Sequence, residues 1–175
     1  MTRDTLVGHF QRFIRNQQLI LILLAIVVGT ASAFGAVAFR ELVVLLQTVT
    51  FGASLENMSE VLADLPRWHI VAVPTVGGLV IGLFVRYVMP NRRNHAVADV
   101  IEAAALRSGR ITVREGLGAA AVSIGSIGVG ASVGREGPVV HLGAAIASFV
   151  ATRLRLSRSQ AVNLLGCGVA AAVAA

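Results

Sequence analysis

The sequence contains few charged and few aromatic residues. Of its 175 residues, 14% are charged and 5% are aromatic, whereas 55% are hydrophobic. The mean hydropathy is +0.77. In soluble domains about a quarter of all residues are usually charged. The low charge therefore excludes an ordinary soluble domain and predicts an all-α integral membrane protein.

The sequence has a single cysteine, Cys167, so one chain can form neither a disulfide nor a site of several thiolate metal ligands. Because Cys167 lies in an apolar run, we expect it to fill space in the core. The formal net charge of +6 would suit nucleic acid as a partner. The arginines, however, stand in short clusters between apolar runs and aromatic residues are scarce, which argues against nucleic acid. We expect no metal and no cofactor.

Uncharged runs of bilayer length predict a bundle of several membrane spans. Leu19–Phe39 would be about 31 Å long as a helix, which matches the hydrocarbon core. A signal peptide with a cleavage site near Ala33 is the alternative, which the later spans disfavour. The further predicted spans are 70–85, extended to Pro90, then 116–134, a short one over 137–152, and 159–175. Because the last run is still apolar at Ala175, we expect the protein to continue beyond it.

The segment 94–106 is apolar in part but too short to cross a bilayer. It also carries Asp99 and Glu102, so a re-entrant or interfacial helix is predicted here.

The charges of the loops predict the orientation of the chain in the membrane. Residues 1–18 are basic, the connection 47–69 is acidic, and arginine clusters follow near residues 92, 110 and 155. By the positive-inside rule, residues 1–18 form a cytoplasmic segment and the transmembrane domain begins at residue 19.

An arginine and a glutamate lie between two apolar runs, in the segment Gly134-Arg135-Glu136-Gly137-Pro138. Charged side chains at membrane depth are costly, so such a pair indicates a functional site. The helix-breaking residues Gly130, Gly134, Gly137 and Pro138 predict an interrupted helix whose next helix begins near Glu136. Pro138 would then fall in the first turn, where its missing N–H does no harm.

The free amides of Arg135, Glu136 and Gly137 would point into this break. With the positive end of the helix dipole they would form an anion site without a full positive charge. Glu136 would compete for that site as a tethered anion and could leave it when protonated, which suits a gate and proton carrier. The alternative is a first-turn carboxylate that stabilises the dipole, with Arg135 reaching the headgroups. His141 in the same helix is a candidate proton group, although a core or headgroup-facing histidine is favoured.

Glycines also recur at helix-packing spacings. The pairs Gly78 and Gly82, and Gly130 and Gly134, follow the small-xxx-small pattern that lets helix backbones approach closely in lipid. We expect packing to be the main role of these pairs.

The stretch Gly134-Arg135-Glu136-Gly137-Pro138 with the following residues 139–147 resembles the anion-site signature of the CLC chloride channels and proton/chloride antiporters. Residues 166–172 resemble the helix that follows in that family. The resemblance implies one half of an inverted-repeat fold and a homodimer that transports chloride or a related anion, with transport gated by voltage or by protons, or coupled to protons. It implies Glu136 as the external gate and the amides of Arg135, Glu136 and Gly137 as anion ligands.

One part of the sequence departs from the family pattern. The family has a glycine, serine and proline turn before its short fourth helix, and residues 94–98 stand there without glycine or proline. His95 would occupy the serine position, where it could donate a hydrogen bond to an inner anion or remain a plain interfacial histidine.

Two other functions were weighed. A structural or regulatory membrane subunit without transport of its own would use the glycines for packing. An enzyme is not expected, because the loose dinucleotide pattern Gly128-x-Gly130-x-x-x-Gly134 lacks a preceding short strand and a following acidic residue.

Overall fold

The structure of the chain, a computed structural model, describes residues 3–52, 65–89 and 97–175. In these residues the chain forms helices and no strand. The helices are α1 (Arg3–Phe51), α2 (Arg67–Val88), α3 (Val97–Ala105), α4 (Val113–Gly128), α5 (Glu136–Arg153) and α6 (Arg158–Ala174). The predicted all-helical membrane fold is confirmed.

The first helix is much longer than predicted. It has 49 residues and continues past Phe39 through Arg40 and Glu41, whose side chains are exposed. These charged residues do not end the helix because they lie on its surface, where they require no burial. The stretch Gln18–Phe51 and the helix Arg67–Val88 are the two described helices that are long and apolar enough to cross a membrane.

The other predicted spans form shorter helices. Helices α4, α5 and α6 have 16, 18 and 17 residues, so each is at most about 27 Å long. The predicted short helix in 94–106 is confirmed as α3, which has nine residues and cannot cross a bilayer. Thus the bundle combines long helices with short ones, as predicted.

Helix α5 is central to the bundle. It contacts α1, α3, α4 and α6, and seven of its residues are buried. Most of the buried residues are small, and Ala144, Ala145, Ala147 and Ala151 belong to one continuous core with residues of α1, α3 and α6. Small side chains let the neighbouring backbones come close, which is the usual mode of helix packing in lipid.

The closest backbone approach joins α5 to α6. A methyl group built on Gly143 would lie 2.5 Å from the carbonyl oxygen of Gly168, and one built on Gly168 would lie 2.7 Å from the carbonyl oxygen of Gly143. The sequence-based expectation had placed close packing at the pairs 78/82 and 130/134. Gly78, Gly82 and Gly134 instead face no atom of the described residues within 4 Å.

Cys167 is exposed, so its predicted role as core filler is wrong. The buried residues of α6 follow a helical period and include Leu164, Leu165, Gly168 and Ala172. Cys167 lies beside this stripe and not within it, which explains its exposure despite its apolar neighbours.

Candidate functional site

The helix is interrupted between α4 and α5, as predicted. Helix α4 ends at Gly128, earlier than the predicted end at Gly134, and residues 129–135 are not helical. Gly130 adopts φ +92°, a left-handed conformation that side chains disfavour. This glycine turns the chain and explains why the third apolar run does not form one continuous helix.

Side chains of α1 hold the end of α4 in place. Thr50 Oγ1 lies 2.8 Å from the carbonyl oxygen of Gly128 and 2.9 Å from that of Leu46 in its own helix, so its single proton is shared between these acceptors. Gln47 Nε2 donates to the carbonyl of Ile127 at 3.4 Å. Thr50 thereby gives the Gly128 carbonyl a partner that the end of the helix does not supply, whereas the Ile127 carbonyl also accepts from the Gly130 N–H. Sequence reasoning missed these contacts, and the only available signal was the presence of polar residues within the apolar α1.

A ring cluster lies beside the same turn. The Phe51 ring is 3.2 Å from the position that a Cβ on Gly130 would take. It packs edge-on against His69, with ring centroids 6.2 Å apart. His69 Nε2 is also 2.9 Å from the carbonyl oxygen of Thr50. The start of α2 is thereby joined to the end of α1 and to the turn that precedes Glu136.

The N-terminus of α5 has no side-chain cap. Arg135 is the N-cap residue and no side-chain hydrogen bond forms there. Helices α4 and α6, by contrast, begin with complete capping boxes that use Thr112 and Ser157. The first amides of any helix lack intrahelical acceptors, and Pro138 contributes no N–H. The amides of Arg135, Glu136 and Gly137 are therefore the donors at this helix end.

The charged pair lies at the surface of the described residues. The side chains of Arg135 and Glu136 are exposed, whereas Gly137 and Pro138 are half-buried. Neither Arg135 nor Glu136 forms an ion pair or side-chain hydrogen bond with another residue in the described ranges. Glu136 thus stands in the first turn of α5, beside the uncapped amides, with no competing partner there.

A second helix begins next to this site. A Cβ built on Gly137 would lie 3.6 Å from Cγ2 of Val97, the first residue of α3. The N-termini of α3 and α5 are therefore neighbours. His95, the predicted inner ligand, lies outside the described residues, although it precedes Val97 by two positions in the chain.

His141 is buried, with 1% of its surface exposed. It lies on the buried side of α5 with Ala144 and Ala145. This position agrees with the favoured prediction of a core histidine. Among the described residues no group of three or more His, Cys, Asp or Glu side chains could hold a metal ion.

The fold and site define an all-helical membrane protein with an interrupted helix whose uncapped N-terminus carries a glutamate. The family model described as voltage gated chloride channel matches residues 77–175, more than half of the chain. The chain therefore belongs to the voltage-gated chloride channel family, the CLC family that the sequence resembles.

Curated proteins extend the similarity toward the N-terminus. A ClcB-like protein of Ralstonia nicotianae is 34% identical over 157 residues, which cover 87% of this chain and 36% of that protein. The voltage-gated ClC-type chloride channels named ClcB of Escherichia coli and Shigella boydii are each 30% identical over 156 residues, covering 88% of this chain and 37% of theirs. The chain thus spans little more than a third of the length of these relatives. No solved structure matches it.

Proposed function

We propose that this chain is part of a protein that transports chloride or a related anion across a membrane, and that the anion binds at the N-terminus of α5. The observation that carries the proposal is the uncapped start of α5, with Glu136 exposed in its first turn. Membership of the voltage-gated chloride channel family supports it.

The proposed binding site uses backbone dipoles. The amides of Arg135, Glu136 and Gly137 donate to the anion, and the helix dipole adds a partial positive charge. Such a site attracts an anion moderately, which conduction requires because a tightly held ion does not leave. The side chain of Glu136 competes with the anion for the same amides. Protonation removes its charge and releases it, so Glu136 acts as gate and proton carrier.

The neighbouring N-terminus of α3 supports a second position for the anion. Two helix ends that meet beside a break can hold ions in sequence along one pathway. In this proposal His95, just before α3, contributes to the inner position. The same proposal includes a homodimer with one pathway per subunit, a cytoplasmic segment over residues 1–18 and one half of an inverted repeat over residues 19–175.

The test is chloride efflux from proteoliposomes that contain the full-length protein, recorded together with proton movement. Glu136→Ala and Glu136→Gln are compared with Glu41→Gln, which removes an exposed carboxylate from α1. We expect the Glu136 variants to lose proton coupling or pH gating, while Glu41→Gln behaves as wild type.

Each outcome has a distinct meaning. Efflux coupled to protons, and uncoupled by Glu136→Ala, identifies an antiporter. Efflux without proton movement, but with altered pH gating in Glu136→Ala, identifies a channel. Efflux that no Glu136 variant changes contradicts the gate. A protein that moves no anion contradicts the proposed transport and favours a structural or regulatory subunit.

A further inference from the structure

A small recess lies at the opposite end of α5 from Glu136. Its volume is about 100 Å³, and its polar lining consists of Ser108, Arg110, Thr152 and Arg158, which we call the arginine recess. Because α5 has 18 residues, the two ends of the helix are about 27 Å apart. The recess is therefore separate from the proposed anion site at the start of α5.

Two connections between helices contribute to the recess: residues 106–112 after α3 and residues 154–157 after α5. Ser108 and Gly109 adopt φ +55° and +72° after α3, and Arg155 adopts φ +52° after α5. A Cβ on Gly109 would lie 3.3 Å from backbone carbon of Ala161 in α6. Arg158 Nη2 donates to the carbonyl of Ala105 at 2.7 Å, which ties α6 to the end of α3. The connection after α3 thus packs directly against the first turn of α6.

The described residues that line the recess include two arginines and no carboxylate. Arg110 forms no side-chain hydrogen bond or ion pair within the described ranges, and Arg158 bonds only to a carbonyl. Of the nearby carboxylates, Glu102 pairs with Arg107 at 2.7 Å, outside the recess. Glu115 accepts from the backbone of Thr112 in a capping box. The two arginines and the two hydroxyl-bearing residues of the lining offer the types of donor that suit a phosphate group.

The position of the recess favours the phosphate of a lipid. It lies where α5 ends and α6 begins, and we expect the connections between apolar helices of a bundle to lie at the headgroup layer. Basic pockets between helices at this depth bind anionic headgroups. We propose that the arginine recess binds a phosphate group, supplied by the headgroup of an anionic phospholipid.

Native mass spectrometry of the full-length protein in detergent tests this site. The protein is titrated with phosphatidylglycerol, with phosphatidylcholine, or with inorganic phosphate. The variants are Arg110→Gln and a matched control, Arg114→Gln, which removes an exposed arginine from the first turn of α4 outside the recess. Hydrogen bonds to charged groups contribute more to affinity than neutral ones do. We therefore expect Arg110→Gln to bind phosphatidylglycerol about tenfold more weakly than wild type. Arg114→Gln should match wild type.

Further variants keep the test decisive. Arg110→Lys retains the charge and should bind with intermediate affinity, because lysine cannot form the bidentate contact. Thr152→Val removes a lining hydroxyl without changing the charge and should weaken binding severalfold. These two variants address the site even if Arg110→Gln does not fold.

The ligands distinguish the source of the phosphate. If the protein prefers phosphatidylglycerol to phosphatidylcholine and loses this preference in Arg110→Gln, the result supports an anionic phospholipid as the ligand. Binding of inorganic phosphate that depends on Arg110, without lipid preference, supports a phosphate site but overturns the lipid assignment. Equal losses in Arg110→Gln and Arg114→Gln, or no binding of either ligand, overturn the site altogether.

Discussion

At the scale of single residues, glycine determines how closely α5 and α6 approach. At the contact between Gly143 and Gly168, each residue lies against the backbone of the other. No side chain can occupy this position unless the helices separate. The buried alanines around it extend the same close contact along α5.

Gly143→Ala is therefore expected to destabilise the protein. The added methyl group would overlap the Gly168 carbonyl, and overpacking of this kind costs about 1–3 kcal/mol. Gly166→Ala is the matched control, since a methyl group there meets no atom of the described residues within 4 Å. Both substitutions gain the same helix propensity, so the difference in thermal unfolding in detergent reports the contact. Equal midpoints for the two variants would contradict this packing.

A second residue-scale contact fixes the helix break. The Thr50 hydroxyl of α1 shares its proton between the Gly128 carbonyl of α4 and carbonyls of its own helix. Thr50→Val keeps the shape but leaves the Gly128 carbonyl without its donor, which should lower the free energy of unfolding by about 1–2 kcal/mol. Thr75→Val is the control, because the Thr75 hydroxyl bonds only to Val71 of its own helix. Thr50→Ser should restore stability, and a Thr50→Val protein as stable as the control would show that the contact contributes nothing.

At the scale of elements, the sequence predicted which helices form and where the important break lies. The apolar runs placed α2, α5 and α6 within a few residues, because their ends coincide with proline or with arginine clusters. The start of α5 was predictable since proline is favoured in the first turn of a helix, where Pro138 lies.

Other features depend on contacts that a single sequence does not reveal. The length of α1 was underestimated because Arg40 and Glu41 end an apolar run without ending the helix. The glycine contact of α5 with α6 was also missed, since small residues recur at many positions and only the fold selects the pair that meets. The same holds for Gln47 and Thr50, whose partners lie about 80 positions away in the chain.

The break itself should depend on Gly130. Its φ of +92° is unfavourable for any residue with a Cβ, at a cost of about 1–2 kcal/mol, and the Phe51 ring leaves little room. Gly130→Ala should therefore lower the unfolding temperature and reduce anion flux, because the turn sets the start of α5. Gly134→Ala serves as the control for stability, since a methyl group there would meet no atom of the described residues within 4 Å. Equal behaviour of both variants would contradict a role for the Gly130 turn.

At the scale of the whole molecule, α5 connects two sites of different chemistry. Its N-terminus offers backbone amides beside Glu136, and its C-terminal end borders the arginine recess. The other helices pack around this axis, with α1 holding the break and α6 closing the recess. The chain belongs to the voltage-gated chloride channel family, and its fold presents Glu136 at a helix end that no side chain caps.

The measurement that tests the central proposal most directly is chloride binding to the full-length protein, by isothermal titration calorimetry over a range of pH. If Glu136 competes with the anion for the α5 amides, wild type should bind chloride more tightly as the pH falls and the carboxylate is protonated. Glu136→Gln should bind tightly at every pH, while Glu41→Gln should follow wild type. Chloride affinity that is the same in wild type and Glu136→Gln at all pH values would contradict the proposed competition at this helix end.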